Sequence, residues 1–148
     1  MFPKATEYAL RATIYIAQKS TEEKKLGIEE ISRAIDSPRS FTAKILQLLT
    51  KDNKLISSVR GPNGGFYMTE NAKKLPVRAI LTAMGEDEIL EKCILGLNQC
   101  SEAKPCPMHS KYKSIKKKLI KLFETKTIQQ LAADIKDGEV FINNSTYT

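Results

Sequence analysis

Between residues 28 and 51 the chain carries two short stretches of helical apolar spacing, separated by three residues that stop a helix. Ile28, Ile31 and Ile35 recur at three- and four-residue steps; Phe41, Ile45, Leu48 and Leu49 do so again. Asp36, Ser37 and Pro38 lie between them. Ser37 suits an N-cap and Pro38 a first helical position, because proline fixes φ and lacks an N–H that the first turn leaves unused. The pattern predicts a helix from Ile28 to Ile35, a tight turn, and a second helix from Arg39 to Lys51. Two short helices joined in this way form a helix-turn-helix pattern. Many helical hairpins share it, so the residues that follow decide its meaning.

Those residues predict a hairpin. Leu55 to Val59 reads as one short strand and Phe66 to Thr69 as another, with the turn-rich loop Arg60-Gly61-Pro62-Asn63-Gly64-Gly65 between them. A helix-turn-helix followed directly by a hairpin is a winged helix. Its hairpin tip flanks the second, recognition helix and reaches the neighbouring minor groove. Upstream, Lys4 to Lys19 reads as a helix with one buried face, through Tyr8, Ala9, Ala12, Tyr15 and Ile16. Downstream, Pro76 to Met84 is a short helix broken by Gly85, and Glu86 to Lys92 is one further turn. Met108, Tyr112, Ile115, Leu119 and Leu122 then fall at alternating steps of four and three, an a/d seam on an otherwise lysine-rich helix. Such a narrow seam favours pairing with a second copy of the chain. Thr127 is placed to cap a last helix burying Ile128, Leu131 and Ile135.

The expected fold class is therefore mainly α with a small β-hairpin: a winged helix-turn-helix domain plus a long dimerisation helix. Its expected parts are residues 1–84 for the winged domain, 85–109 for a Cys-rich loop, 110–136 for the dimerisation and last helices, and 137–148 for a loose polar tail.

A formal net charge of +7 favours polyanionic partners, DNA above all, although simple solubility also accounts for it. No apolar run approaches the ~20 residues needed to span a bilayer. The amphipathic N-terminal stretch, interrupted by Glu7 and Arg11, does not read as a signal peptide. A cytoplasmic location is expected. In a reducing cytosol clustered cysteines point to metal or redox chemistry rather than to structural disulfides.

All three cysteines and the only histidine lie in CILGLNQCSEAKPCPMHS, residues 93–110, with the spacing C-x6-C-x5-C-x2-H. The paired CxxC elements of a zinc ribbon or a thioredoxin-like site are missing. A polar loop bent by Gly96 and Pro105 can wrap Cys93, Cys100 and Cys106 around one centre. Thiolates are the usual ligands of iron–sulfur clusters, and histidine can replace one of them. Alternatives stay open: a Cys3His zinc site completed by His109, or a metal-free thiol switch. A catalytic cysteine is disfavoured, because no oxyanion-hole motif accompanies it.

The run SSVRGPNGGF, Ser57 to Phe66, resembles the wing of the Rrf2 family of bacterial transcriptional regulators, and TEYALRA, Thr6 to Ala12, resembles that family's first helix. The Cys segment lies where cluster-binding members carry their ligands. The resemblance covers nearly the whole chain and keeps the order of its parts. It departs in the six residues between the first two cysteines, where comparable members have about five, so the cluster type, [2Fe-2S] or [4Fe-4S], stays open. The resemblance implies a homodimer, not an enzyme but a repressor, that binds a pseudo-palindromic DNA operator. It also implies control of that binding by an iron–sulfur cluster on Cys93, Cys100 and Cys106. The fourth ligand would be His109, or Glu7 reaching across the dimer.

On the recognition helix Pro38, Arg39, Ser40, Thr42 and Lys44 are the expected DNA-facing residues. Arg39 would serve either as a base reader or as a phosphate clamp. At the wing, Arg60 is expected to enter the minor groove beside Gly61 and Asn63, as in family relatives; otherwise it braces the hairpin. The rival from another class is a zinc-stabilised protein-interaction module. Within the class, it is a cluster-free regulator that responds to thiol oxidation or to a small ligand.

Overall fold

The computed structural model describes residues 1–99, 101–135 and 140–143. Its elements run α1 (Lys4–Lys19), α2 (Ile28–Ala34), α3 (Arg39–Leu49), β1 (Ser57–Val59), β2 (Gly65–Tyr67), α4 (Glu70–Lys73), α5 (Arg78–Ala83), α6 (His109–Thr125) and α7 (Ile128–Ile135). Short 3-10 turns at Lys51–Asn53 and Asp87–Leu90 join α3 to the hairpin and follow α5. None of the described helices is long and apolar enough to cross a membrane.

Helix α1 is the centre of the core. Ala9, Ala12 and Ile16 are fully buried at three- and four-residue steps, and the small side chains of Ala9 and Ala12 leave room for α2, α3, α5 and α7 to pack against the helix. Ile31, Ile35, Ile45, Leu46, Leu49, Ile80 and Leu81 complete this core. Each such side chain contributes roughly 1.5–3 kcal/mol on leaving water. Tyr8 of α1 meets Phe41 of α3 edge-on at 5.4 Å between ring centroids. The hydroxyl of Tyr15 donates to Glu30 Oε2 of α2 at 2.8 Å. Both helices of the helix-turn-helix are thus pinned to one rod.

The hairpin is antiparallel, with Ser57 opposite Tyr67 and Val59 opposite Gly65. The strands are shorter than expected, because Met68 turns into the core, where its N–H donates to Ser20 Oγ at 3.0 Å. Ser20 ends α1 and its hydroxyl donates to the Ile16 carbonyl, so one residue joins α1 to the hairpin. Its carbonyl also accepts from the buried Lys73 ammonium at 2.9 Å. A third strand-like contact was not legible in the sequence. Leu26 and Phe66 exchange both backbone hydrogen bonds at 2.8 Å, which fixes the hairpin's outer edge.

Several local expectations are corrected. Pro38, not Ser37, occupies the N-cap of α3, and no side-chain bond caps it; the Ser37 hydroxyl instead lies 3.1 Å from Thr42 Oγ1. Leu48 was expected inside but is 47 % exposed, and Leu46 takes the buried place. In α7, Ala132 is buried with Ile128, while Leu131 and Ile135 are half-buried. Thr127 does cap this helix: its hydroxyl accepts from Gln130 N at 3.1 Å, and Gln130 Oε1 accepts from Thr127 N at 2.9 Å. The α6 seam divides. Tyr112 and Leu119 are half-buried, whereas Met108, Ile115 and Leu122, seven residues apart, are exposed. Phe123, outside the expected seam, is buried against Phe2.

Candidate nucleic-acid interface and cysteine segment

Helix α3 starts at Arg39 because Pro38 supplies no N–H and Asp36, at φ 53°, ends the preceding turn. This start leaves Pro38, Arg39, Ser40 and Lys44 exposed on one end and face of the helix. Thr42 is corrected. It is fully buried, and its hydroxyl donates to the Pro38 carbonyl at 2.9 Å. It holds the first turn of α3 and has no surface to offer DNA. Arg39 is exposed and forms an ion pair with Glu29 of α2, so in the free chain this guanidinium is partly committed.

At the wing tip Arg60, Gly61 and Asn63 are all exposed. The Gly64 N–H donates to the Gly61 carbonyl at 2.9 Å, and Gly61 sits at φ +107°, where a side chain would strain the backbone. Among the described residues the Arg60 guanidinium has no ion-pair partner. Two exposed cationic sites, the start of α3 and the wing tip, therefore belong to one rigid winged unit. Ser57 is buried in the strand and the Ser58 N–H donates to Asn53 Oδ1.

Cys93 is buried and Cys106 half-buried. Backbone N–H groups of Leu97 and then Leu95 point at the Cys93 sulfur and hold its pKa below the ordinary thiol value. Burial acts in the opposite direction, and hydrogen bonds with the Cys106 side chain and the Gly96 N–H add to the lowering. The fold thus brings Cys106 near enough to affect the Cys93 thiol from thirteen residues away. Cys93 also lines a cleft with Met1, Pro3, Ile89 and Tyr112, beside the start of α1. His109 opens α6, half-buried, with its N–H donating to the Cys106 carbonyl at 3.0 Å. Glu7 is exposed and pairs with Lys4 at 3.8 Å on the same helix. Cys100 lies outside the described residues. Among the described residues, no three His, Cys, Asp or Glu side chains gather as a metal-binding group.

The segment is tied to α6 and α5 by groups that sequence reasoning missed. Lys113 of α6 pairs with Glu102, and Lys116 Nζ donates to the Glu91 carbonyl. Arg78 of α5 binds Glu124 at 2.6 Å, Asp87 at 3.3 Å and Glu91 at 3.4 Å. Burial lowers the Arg78 pKa, but the three carboxylates outweigh it and hold the guanidinium above its ordinary value. No local pattern marks Arg78, because its partners lie up to 46 residues away.

A family model named Rrf2, described as an iron-dependent transcriptional regulator, matches residues 2–134. An HTH-type transcriptional regulator sequence of Aquifex aeolicus is 32 % identical over 133 residues, covering 88 % of this chain and 90 % of its own. The HTH-type transcriptional regulator NsrR of Oceanobacillus iheyensis is 27 % identical over 129 residues, 86 % of each chain. Among solved structures, CymR of B. subtilis, the global cysteine regulator, superposes with a TM-score of 0.73 at 15 % identity, covering 90 % of this chain and 97 % of its own. IscR of T. potens gives 0.69 at 16 % identity, over 95 % and 91 %. These two show the same fold.

Proposed function

The chain belongs to the Rrf2 family of transcriptional regulators, and from that premise we propose that it is a homodimeric, cytoplasmic DNA-binding repressor controlled through its cysteine segment. The observation that carries the DNA-binding part is the pair of exposed sites on one winged unit: Pro38, Arg39, Ser40 and Lys44 on α3, and Arg60, Gly61 and Asn63 at the wing. The start of α3 enters the major groove, where a well-placed Arg contact is worth roughly 1–3 kcal/mol of discrimination. Arg60 enters the adjacent minor groove, where the negative potential is enhanced when the groove is narrow. The exposed line of Met108, Ile115 and Leu122 on α6 pairs with the same line on a second copy. A two-fold dimer then reads a pseudo-palindromic operator, with half-sites about one helical turn apart.

Cys93 and Cys106, with Cys100, would hold an iron–sulfur cluster, and His109 or the partner copy's first helix through Glu7 would complete it. The nearness of the two cysteines and the backbone amides around Cys93 fit such a ligand loop. Bound there, the cluster supplies a redox couple whose potential is set partly by hydrogen bonds to the sulfurs, and the signal read is iron–sulfur status, redox state or nitric oxide. The residues around it carry the coupling. Cys106 leads within three residues into α6 through His109, and Lys113 and Lys116 fasten that helix to both ends of the segment. A change in loop shape therefore reaches α6, and through the dimer sets the spacing of the two α3 helices. Coupling of this kind typically amounts to about 1–3 kcal/mol.

The nearness of Cys106 to the lowered Cys93 thiol also favours a second, cluster-free reading. A peroxide oxidises the Cys93 thiolate to sulfenic acid and is itself reduced as its O–O bond breaks. The Cys106 thiol then attacks that sulfur, expelling water and closing a disulfide.

Anaerobic purification, followed by a visible spectrum and by iron, sulfide and zinc assays on one sample, separates these readings. Iron and sulfide with a visible chromophore support the cluster; one zinc per chain defeats it; neither, with a peroxide-dependent Cys93–Cys106 link, supports the thiol switch. Cys106→Ala is expected to abolish the chromophore and shift DNA affinity. Unchanged affinity would sink the control by cysteines while leaving the steep salt dependence of DNA binding as a separate test.

A further inference from the structure

The tail beyond α7 was expected to be loose, yet within the described residues 140–143 it is docked. The Asn143 side-chain amide donates to the Ala34 carbonyl at 3.1 Å, across 109 positions of sequence, and Ile142 and Asn143 are half-buried. The acceptor is a particular one. Ala34 is the last residue of α2, and its carbonyl would receive the N–H of residue 38 if the helix continued. Residue 38 is proline and has no N–H. The helix-turn-helix turn therefore leaves an acceptor that its own backbone cannot serve, and Asn143 serves it.

The place matters as much as the bond. Asn143 shares one cleft with Glu29, Ser37, Pro38 and Arg39. That cleft opens at the start of α3, the end of a recognition helix that meets base edges. In the same cleft Arg39 is held by Glu29. We propose that the C-terminal segment at Ile142 and Asn143 is an intrachain competitor for DNA, latched onto the turn of the helix-turn-helix and released when a duplex docks. The proposal rests on the reading of α3 as the DNA-facing helix. Docking of a duplex would take both the cleft and Arg39, so tail and DNA cannot occupy the turn together. The latch sets the fraction of chains competent to bind, and apparent affinity falls by that fraction.

The test uses the full chain, the variant Asn143→Leu, which keeps the bulk and removes the donor, and a chain ending at Ile135. Each is titrated by fluorescence anisotropy against a labelled duplex selected by the full chain from a random library. Both variants are expected to bind about three- to tenfold tighter, as when a third to a tenth of chains are unlatched, with the same salt slope as the full chain. The side-chain amide signal of Asn143 should move to its free-peptide position when duplex is added to the full chain. Equal or weaker binding by both variants, with that signal unmoved by duplex, overturns the latch alone. Failure of any of the three chains to enrich or bind a duplex overturns the DNA-facing reading of α3 and the latch with it.

Discussion

Gly64→Ala should separate DNA binding from stability more sharply than any other single change in the wing. A Cβ built on Gly64 lies 2.1 Å from the Val59 carbonyl oxygen, 2.8 Å from the Arg60 carbonyl carbon and 2.9 Å from that of Val59. All three are backbone atoms, so no side chain can swing aside. The turn must open by roughly 1 Å to restore contact distance, and forcing one extra carbon into a packed site costs about 1–3 kcal/mol. Opening there breaks the Gly64–Gly61 hydrogen bond and splays Val59 from Gly65, the strand pair next to the tip. Arg60 lies at that point. If all the strain reached global unfolding, Tm would fall by about 2–4 °C per kcal/mol for a chain of this size. The hairpin is two three-residue strands, however, and is expected to rearrange locally instead. We therefore expect a loss of at least tenfold in duplex affinity with a Tm change under about 5 °C. Gly61→Ala is the companion: nothing lies within 4 Å of its Cβ, and only the φ of +107° opposes it, so its loss of affinity should be smaller. The assays are anisotropy at fixed salt and thermal unfolding by circular dichroism. Duplex affinity of Gly64→Ala within twofold of the parent would refute both the crowding argument and the role of the wing.

Two further predictions concern the frame that holds these sites. Burial first, and then the hydrogen bond and charge of Glu30, push the Tyr15 pKa up to about 12. The folded state thus favours the neutral phenol. The stability it adds is fully present below the unfolded value of about 10 and lost as pH rises towards 12. Tyr15→Phe should cost about 0.5–1.5 kcal/mol at neutral pH and flatten the decline between pH 10 and 12. An equally steep decline in the variant would assign that titration elsewhere. Arg78→Ala leaves three carboxylates without their shared cation. The carboxylates are each at least 41 % exposed, so solvent screening limits the loss to about 1–2 kcal/mol. The gap between variant and parent in urea unfolding should narrow in high salt, and a gap independent of salt would make the role of Arg78 one of packing.

Periodicity and punctuation placed α1, α2, α3 and the hairpin in the sequence, because each has an apolar face or a turn rich in glycine that is local in cause. The exposure of Pro38, Arg39, Ser40 and Lys44, and of Arg60, Gly61 and Asn63, followed from the start of α3 and from the loop at residues 60–65. What stayed hidden was long-range. Leu26 is a single residue in a polar turn and becomes a strand partner only once Phe66 lies beside it. Thr42 looks like a polar surface residue until the Pro38 carbonyl captures its hydroxyl. Leu46 and Leu48 flank the Ile45–Leu49 face from opposite sides, about 200° apart on the helical wheel, and the packing of α1 and α5 decided which one is buried. In the cysteine segment composition drew Cys93, Cys106 and His109 together, but the amides of residues 95–97 that surround the Cys93 sulfur have no sequence signature.

The position of Ser20 gives α1 a mechanical meaning. At its far end the helix is fastened through Ser20 to Met68, the residue that follows β2, and at its near end Met1 and Pro3 line the cleft of Cys93. Sixteen residues at 1.5 Å each make a strut of about 24 Å. A strut fixed at the wing and pushed about 2 Å sideways at the other end turns by about 5°. It would carry Tyr8, and with it the aromatic contact to Phe41 of α3, through part of that arc. This 16-residue lever thus runs from the cysteine cleft to the hairpin, with α3 bearing on it in between.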